Sequence, residues 1–290
     1  MRLTDQLGII FAFVLYTHGV NAQQAGTAAF PRVSIPETEV RHIQSSIVGD
    51  EFEISIALPS NYYSTDTTYP VLYITDANLF FAATTQIVRM MQLGNELPQM
   101  LIVGIGYRSD SLSNWLALRS RDLTPTPTPD PNGQGWLTGG APLFLRFIRE
   151  ELIPFITKNY RTSPDATYAG ISYGGLFGLY VLFHEPTTFH TYLIGSPSIW
   201  FDNRVILKYE ADYAKINRDL SAKVFMSVGE LEERQSSAAK MVTNMKQLAD
   251  TLMSRKYPGL NLETKIFEGE THVSAPAVET SRGLRSIYRK

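Results

Sequence analysis

The sequence predicts an α/β fold with a mostly parallel central sheet, helices on both faces and an antiparallel hairpin at its N-terminal edge. Three observations carry this reading. From residue 69 onward, apolar runs of strand length alternate with segments of helical spacing, the pattern of successive βα units. Ahead of them, two stretches alternate apolar and polar residues across a glycine-containing turn, as a half-buried hairpin does. Midway, Gly170-Ile171-Ser172-Tyr173-Gly174-Gly175 joins a short buried run to an apolar helical one.

The elements follow in order. Val40 to Ile47 and Phe52 to Leu58 form the hairpin, separated by Val48-Gly49-Asp50-Glu51. Tyr69-Pro70 opens Val71-Leu72-Tyr73-Ile74-Thr75, a near-continuous apolar strand of the kind covered on both faces. Phe80 to Leu93 has helical spacing, and Leu101 to Ile105 is a second buried strand. Residues 108–141 show no convincing period and contain Thr124-Pro125-Thr126-Pro127-Thr128-Pro129-Asp130-Pro131-Asn132-Gly133. A connection this long in a compact domain covers a site or is disordered. Helical spacing returns over Pro142 to Ile156, Ala166 to Ala169 is a strand, and Leu176 to Phe183 a helix. Thr191 to Gly195 is a strand followed by a polar helical segment to about Asn217. Lys223 to Val228 is a strand, Ser236 to Lys256 a long amphipathic helix, Leu262 to Phe267 the last strand, and a final helix closes the chain.

No shift in composition divides the 290 residues, so residues 38–290 read as one α/β domain with 108–141 as its covering segment. With 26 basic and 28 acidic residues the formal charge is −2, which offers no electrostatic attraction for nucleic acid. Residues 1–22 read as a cleavable secretory signal. Arg2 starts a weakly basic region, Leu7 to Tyr16 is an apolar stretch too short for a comfortable membrane span, and Val20-Asn21-Ala22 is a small-residue cleavage site. Residues 23–37 form a polar, flexible lead-in, so the expected location is periplasmic or secreted. The absence of cysteine excludes disulfides and a bacterial lipid anchor.

A strand, a tight glycine-flanked turn and a helix are what a nucleophile elbow requires, with Ser172 exposed on a strained backbone. A serine hydroxyl needs a base within hydrogen-bond reach, and the base needs a group to orient it. Of five histidines, His18 lies in the signal, His42 in the edge strand, and His184 and His190 flank the end of a helix. His272 follows the last strand, at the carboxyl edge of the sheet where ligands bind in open α/β folds. The acid belongs between serine and histidine in the chain, and Glu230, Glu232 and Glu233 all follow the strand that ends at Val228. Asp202 is a weaker rival because it precedes that strand. Oxyanion donors are the backbone N–H of Tyr173 and that of Ala77 or Asn78, in the loop after the first buried strand. No His/Cys cluster with metal-ligand spacing occurs.

Several segments together resemble the putative esterase family of α/β-hydrolases. They are Tyr69 to Asp76, Ile102 to Tyr107, Arg121-Asp122-Leu123-Thr124-Pro125, Glu151 to Ile156, the elbow, and Gly195-Ser196-Pro197-Ser198-Ile199-Trp200. The match spans roughly residues 38–288 and looks nearest to periplasmic siderophore (enterobactin-type trilactone) esterases. S-formylglutathione hydrolases, feruloyl and acetyl-xylan esterases and mycolyltransferases are more distant. The resemblance implies the α/β-hydrolase fold and selects Glu232, three residues past Gly229, as the acid beside Ser172 and His272. It also implies acyl transfer from a small-molecule ester through an acyl-enzyme that needs no metal or organic cofactor; no stable membrane span is expected after signal removal. Ala77 departs from the glycine many members carry there. Trp115, Trp136 and Trp200 are candidate surfaces for an aromatic or sugar-bearing substrate, Asp76 a further substrate contact, and Arg121 a partner for an anionic one or a scaffold ion pair. Carbohydrate-linked acyl esterase, acyltransferase and a non-catalytic binding scaffold are the competing functions.

Overall fold

The computed structural model describes residues 33–289; the signal expected at 1–22 and most of the expected lead-in lie outside them. β1 (Thr38–Gln44) and β2 (Glu51–Ala57) form the hairpin. β3 (Tyr69–Ile74), α1 (Ala77–Leu93), β4 (Leu101–Tyr107) and α2 (Leu112–Leu123) follow. Next come α3 (Ala141–Phe147), a π-helical turn at Ile148–Leu152, α4 (Ile153–Asn159), β5 (Thr162–Ile171) and α5 (Tyr173–His184). β6 (Thr191–Gly195), α6 (Phe201–Ile216), β7 (Ala222–Gly229), α7 (Glu232–Gln235), α8 (Met241–Arg255), β8 (Leu260–Phe267) and α9 (Ala275–Tyr288) complete the chain. The strands make one sheet in the order β1-β2-β4-β3-β5-β6-β7-β8. β1, β2 and β4 pair antiparallel and all other pairs are parallel, so the antiparallel edge is where the hairpin pattern puts it.

The pleat sorts side chains into two cores. From β3, Tyr69, Val71 and Tyr73 join the larger cluster, which packs against α3 to α6 and α8. Leu72 and Ile74 join the smaller one, against α1 and α9. This strict alternation is the period of two that a strand imposes. α1 approaches β4 closely because a Cβ at Gly104 would stand 2.8 Å from Ala77 Cβ. The Asn78 side chain then clasps the start of α1 to the end of β4. Its Nδ2 donates to Tyr107 O, and its Oδ1 accepts from Tyr107 N, both at 2.8 Å.

Three elements differ from the sequence expectation. α2 lies inside the segment that shows no period. Its buried face holds Arg119, Ser120 and Asp122 beside Leu123, and a helix whose inward face is paired charge is invisible to a count of apolar spacing. The helix expected over Pro142 to Ile156 opens into one wide turn ahead of Pro154, which has no N–H to return to the preceding turn. The long helix expected over Ser236 to Lys256 starts at Met241. There the Glu233 carboxylate accepts from Thr243 N at 2.7 Å and Thr243 Oγ1 at 2.6 Å, satisfying the first turn of α8.

Candidate active site

Ser172 closes β5 and begins α5 at φ 62°, ψ −118°, a conformation that non-glycine residues rarely hold. The turn fits only because its neighbours lack side chains. A Cβ at Gly170 would meet Gly174 O at 2.4 Å, and one at Gly174 would meet Thr75 Oγ1 at 2.5 Å. Ser172 N donates to Gly195 O at 3.0 Å, anchoring the elbow to β6. Asp76 holds the equivalent place on the neighbouring strand, with φ 56° between β3 and α1. Two helix N-termini, with the free N–H groups such termini carry, therefore stand side by side at the carboxyl edge of the sheet.

The acid and the imidazole are joined by the backbone. Glu230 N donates to Phe267 O at 2.8 Å and Leu231 N to Glu270 O at 2.9 Å, which ties the loop after β7 to the loop after β8. This brings Glu232 Oε2 to 2.7 Å from His272 Nδ1. The other oxygen, Oε1, accepts from Gly229 N at 2.6 Å and Ser196 Oγ at 2.5 Å. Glu232 is buried while the His272 ring remains partly open to solvent. Glu230 turns instead to Gly269 N, and Glu233 caps α8. Asp202 accepts from Thr126 Oγ1 at 2.6 Å and ties down the covering segment. His184 stacks on Tyr180, with ring centroids 4.1 Å apart, and burial draws its pKa below the ordinary value.

Ser172, Glu232 and His272 line one cavity of about 690 Å³, together with Arg119, Trp136 and Trp200. Its wall is mostly apolar, with Leu112, Leu116 and Met241 contributing. Among the described residues the Ser172 hydroxyl has one side-chain hydrogen-bond neighbour, Ser198 Oγ at 3.4 Å. The covering segment is held by its own bonds. Asp130 accepts from the backbone N of Asn132, Gln134 and Trp136, and Thr138 Oγ1 bridges both backbone groups of Thr128. That clasp presents Trp136 to the cavity.

Four expectations need correction. Trp115 does not line the cavity; it packs against the larger core with the Arg119 guanidinium 5.1 Å over its ring. Of the two readings of Arg121 the anion partner is the one to drop and the scaffold pair holds: Nε and Nη2 donate to Asp122 and Nη1 to Asp50. Asp76 is buried under Arg119, which grips both of its oxygens at 2.8 and 2.9 Å. Of the three oxyanion candidates Tyr173 alone lines the cavity; Ala77 is buried, and the Asn78 side chain is bonded to the Tyr107 backbone.

Arg119 was missed by sequence reasoning. It lines the cavity between the Tyr173 ring, 5.2 Å away, and Asp76. Burial opposes its charge, but the ion pair with Asp76 outweighs that and keeps it protonated. The Tyr173 hydroxyl is pushed up to about 12 by burial, so it stays neutral. No motif marks Arg119, since its partner is 43 residues away.

Among the described residues no group of His, Cys, Asp and Glu is arranged to hold a metal ion, and no helix is long and apolar enough to cross a membrane.

The model of the family described as "Putative esterase" matches residues 45–273. The chain is 36% identical over 264 residues to the ferri-bacillibactin esterase BesA of Bacillus subtilis, covering 87% of this chain and 90% of that one. It is 29% identical to the siderophore triacetylfusarinine C esterase of Aspergillus fumigatus, covering 88% and 94%. Among solved structures, the BES protein from Bacillus cereus superposes with a TM-score of 0.79 at 31% identity, covering 92% of this chain and all of that one.

Proposed function

The chain belongs to the putative esterase family and is a carboxylic ester hydrolase; we propose that it cleaves siderophore esters through a Ser172–His272–Glu232 triad. The hydrogen bond between His272 Nδ1 and Glu232 Oε2, made at the rim of the cavity that also holds Ser172, carries this reading. The bond fixes the imidazole tautomer with Nδ1 protonated, leaving Nε2 as the base. Ser172 Oγ turns from Ser198 toward Nε2, gives up its proton and attacks the ester carbonyl. Hydrogen-bond partners of this kind commonly tighten only with substrate bound. The Tyr173 N–H at the start of α5 receives the developing oxyanion. Each such donor is worth roughly 3–4 kcal/mol in the transition state. His272 then protonates the leaving alcohol, and water activated by the same ring releases the acid.

The substrates for which the relatives are named and the cavity's character both support a siderophore ester. A wall of tryptophan and aliphatic side chains accepts large, partly aromatic acyl groups, and a cavity of about 690 Å³ lies in the range that encloses such ligands. The pattern at residues 1–22 supports a periplasmic or secreted enzyme.

The test is hydrolysis of a ferric siderophore trilactone, a hydroxamate siderophore ester, p-nitrophenyl esters and feruloylated or acetylated sugars, run beside Ser172→Ala. The siderophore substrates should be preferred, and Ser172→Ala should lose several orders of magnitude in rate and all labelling by a fluorophosphonate. Full hydrolysis by Ser172→Ala refutes the site; preference for sugar esters refutes the substrate class.

A further inference from the structure

Behind the Glu232–His272 pair lies a second carboxyl that the hydrolytic mechanism does not use. Glu279, on α9, is completely buried. Its Oε1 accepts from Ser196 N at 3.1 Å and lies 3.0 Å from Ser196 Oγ and 3.1 Å from Ser227 Oγ. The same Ser196 hydroxyl is 2.5 Å from Glu232 Oε1. One hydroxyl thus bridges two buried carboxyl groups.

A hydroxyl carries a single hydrogen. Were both groups ionised, only one could receive it, and two negative charges would share a site closed to water. Glu279 Oε2, moreover, has no hydrogen-bond partner among the described residues, so an ionised Glu279 would leave charge on an unsolvated oxygen. With a proton on Glu279 the chain runs in one direction: Glu279 O–H donates to Ser196 Oγ, Ser196 O–H donates to Glu232 Oε1, and His272 Nδ1–H donates to Glu232 Oε2. The groups facing Glu279 from the loop after β6 and from β7 are Ser196 and Ser227, both neutral, and Glu232 on α7 is the charged group acting on it. Burial first, and Glu232 second, push its carboxyl up to about 8.

The backbone is shaped around this arrangement. Ser196 sits at φ 41°, in the left-handed region, held by its N–H between Ser227 O and Glu279. A Cβ at Gly195 would stand 2.6 Å from Glu279 Oε2, so that position leaves room for the carboxyl.

We propose that Glu279 is a positioning residue of the esterase site: a neutral carboxyl that, through the Ser196 hydroxyl, holds the Glu232 carboxylate in line with His272. This rests on the triad assigned above. Its test is the pH dependence of kcat and KM on a soluble ester for the wild type, E279A, E279Q and S196A, with melting temperature and fluorophosphonate labelling measured alongside. E279A and S196A should lose about 10–100-fold in kcat with little change in KM, as removing a partner that orients a site ligand does. E279Q, an uncharged donor of the same shape, should restore most of the loss. The wild-type profile should carry an inflection on its alkaline side, where Glu279 ionises beside Glu232, and E279Q should lack it. Wild-type kcat and pH profile in E279A, or in S196A should E279A not fold, would overturn the role of Glu279. So would an E279Q as impaired as E279A at every pH. If Ser172→Ala stays fully active, the triad itself fails. A dead Ser172→Ala beside an unimpaired E279A overturns this proposal alone.

Discussion

His272 Nδ1 and Glu232 Oε2 lie 2.7 Å apart although 40 residues of chain separate them. The contact exists because β7 and β8 are parallel neighbours whose exit loops exchange backbone hydrogen bonds. Parallel pairing sends both strands out at the same edge, so residues just past their ends are delivered to one rim.

Glu232→Gln should therefore reduce kcat by about 10³–10⁴-fold, since an amide favours the wrong imidazole tautomer while leaving the fold intact. Glu230→Gln and Glu233→Gln should stay within a few-fold of wild type, because those carboxylates serve a loop amide and a helix terminus. Steady-state kinetics on one ester decides it, and an unimpaired Glu232→Gln would assign the acid elsewhere.

Beneath the elbow, the Asp76–Arg119 pair is bidentate and buried. Removing one partner strands a charge, so Asp76→Ala should destabilise the protein by about 3–5 kcal/mol. Asp76→Ala combined with Arg119→Met should recover part of that loss. Denaturant unfolding of the two single variants and the double variant gives the coupling, and simple additivity would show the pair to be energetically idle.

The tryptophans divide by location. Trp136→Ala should raise KM for an aryl ester with little change in melting temperature, since Trp136 faces the cavity. Trp115→Ala should do the reverse and lower the melting temperature, because its partly buried ring packs against the larger core. Equal effects of both on KM would contradict the cavity as described.

Stability should also report on Glu279. Unfolded, it ionises near its ordinary value of 4.5; folded, it keeps its proton to about 8. Across that window the folded state binds more protons than the unfolded one, so this group's contribution falls as the pH rises and levels off above about 8. E279Q lacks the titration. Its melting temperature should gain on wild type between pH 5 and pH 8, and a constant offset over that range would mean that Glu279 is ionised in the fold.

Periodicity was enough for the sheet's parallel body and its antiparallel edge, and the glycine-flanked serine for the elbow. Apolar strands, a period-two hairpin and glycines around Ser172 are local signals, and each reflects a constraint on its own segment. The substrate side was less legible. α2 escaped notice because its inward face is Arg119, Ser120 and Asp122, and burial of charge is acceptable only when a distant partner arrives. Arg121 could be read either as a ligand for an anion or as scaffold, and its neighbours Asp122 and Asp50 made it scaffold.

Chain order and residue type thus established the class of chemistry: a serine on a strained turn, one well-placed histidine and a short run of glutamates. They could not say which glutamate meets the imidazole, which tryptophans face the cavity, or that Glu279 stands behind the acid. Those outcomes depend on the direction in which side chains leave their backbones and on contacts between residues far apart in the chain. Only the packed sheet, with its helices and loops in place, settles such directions.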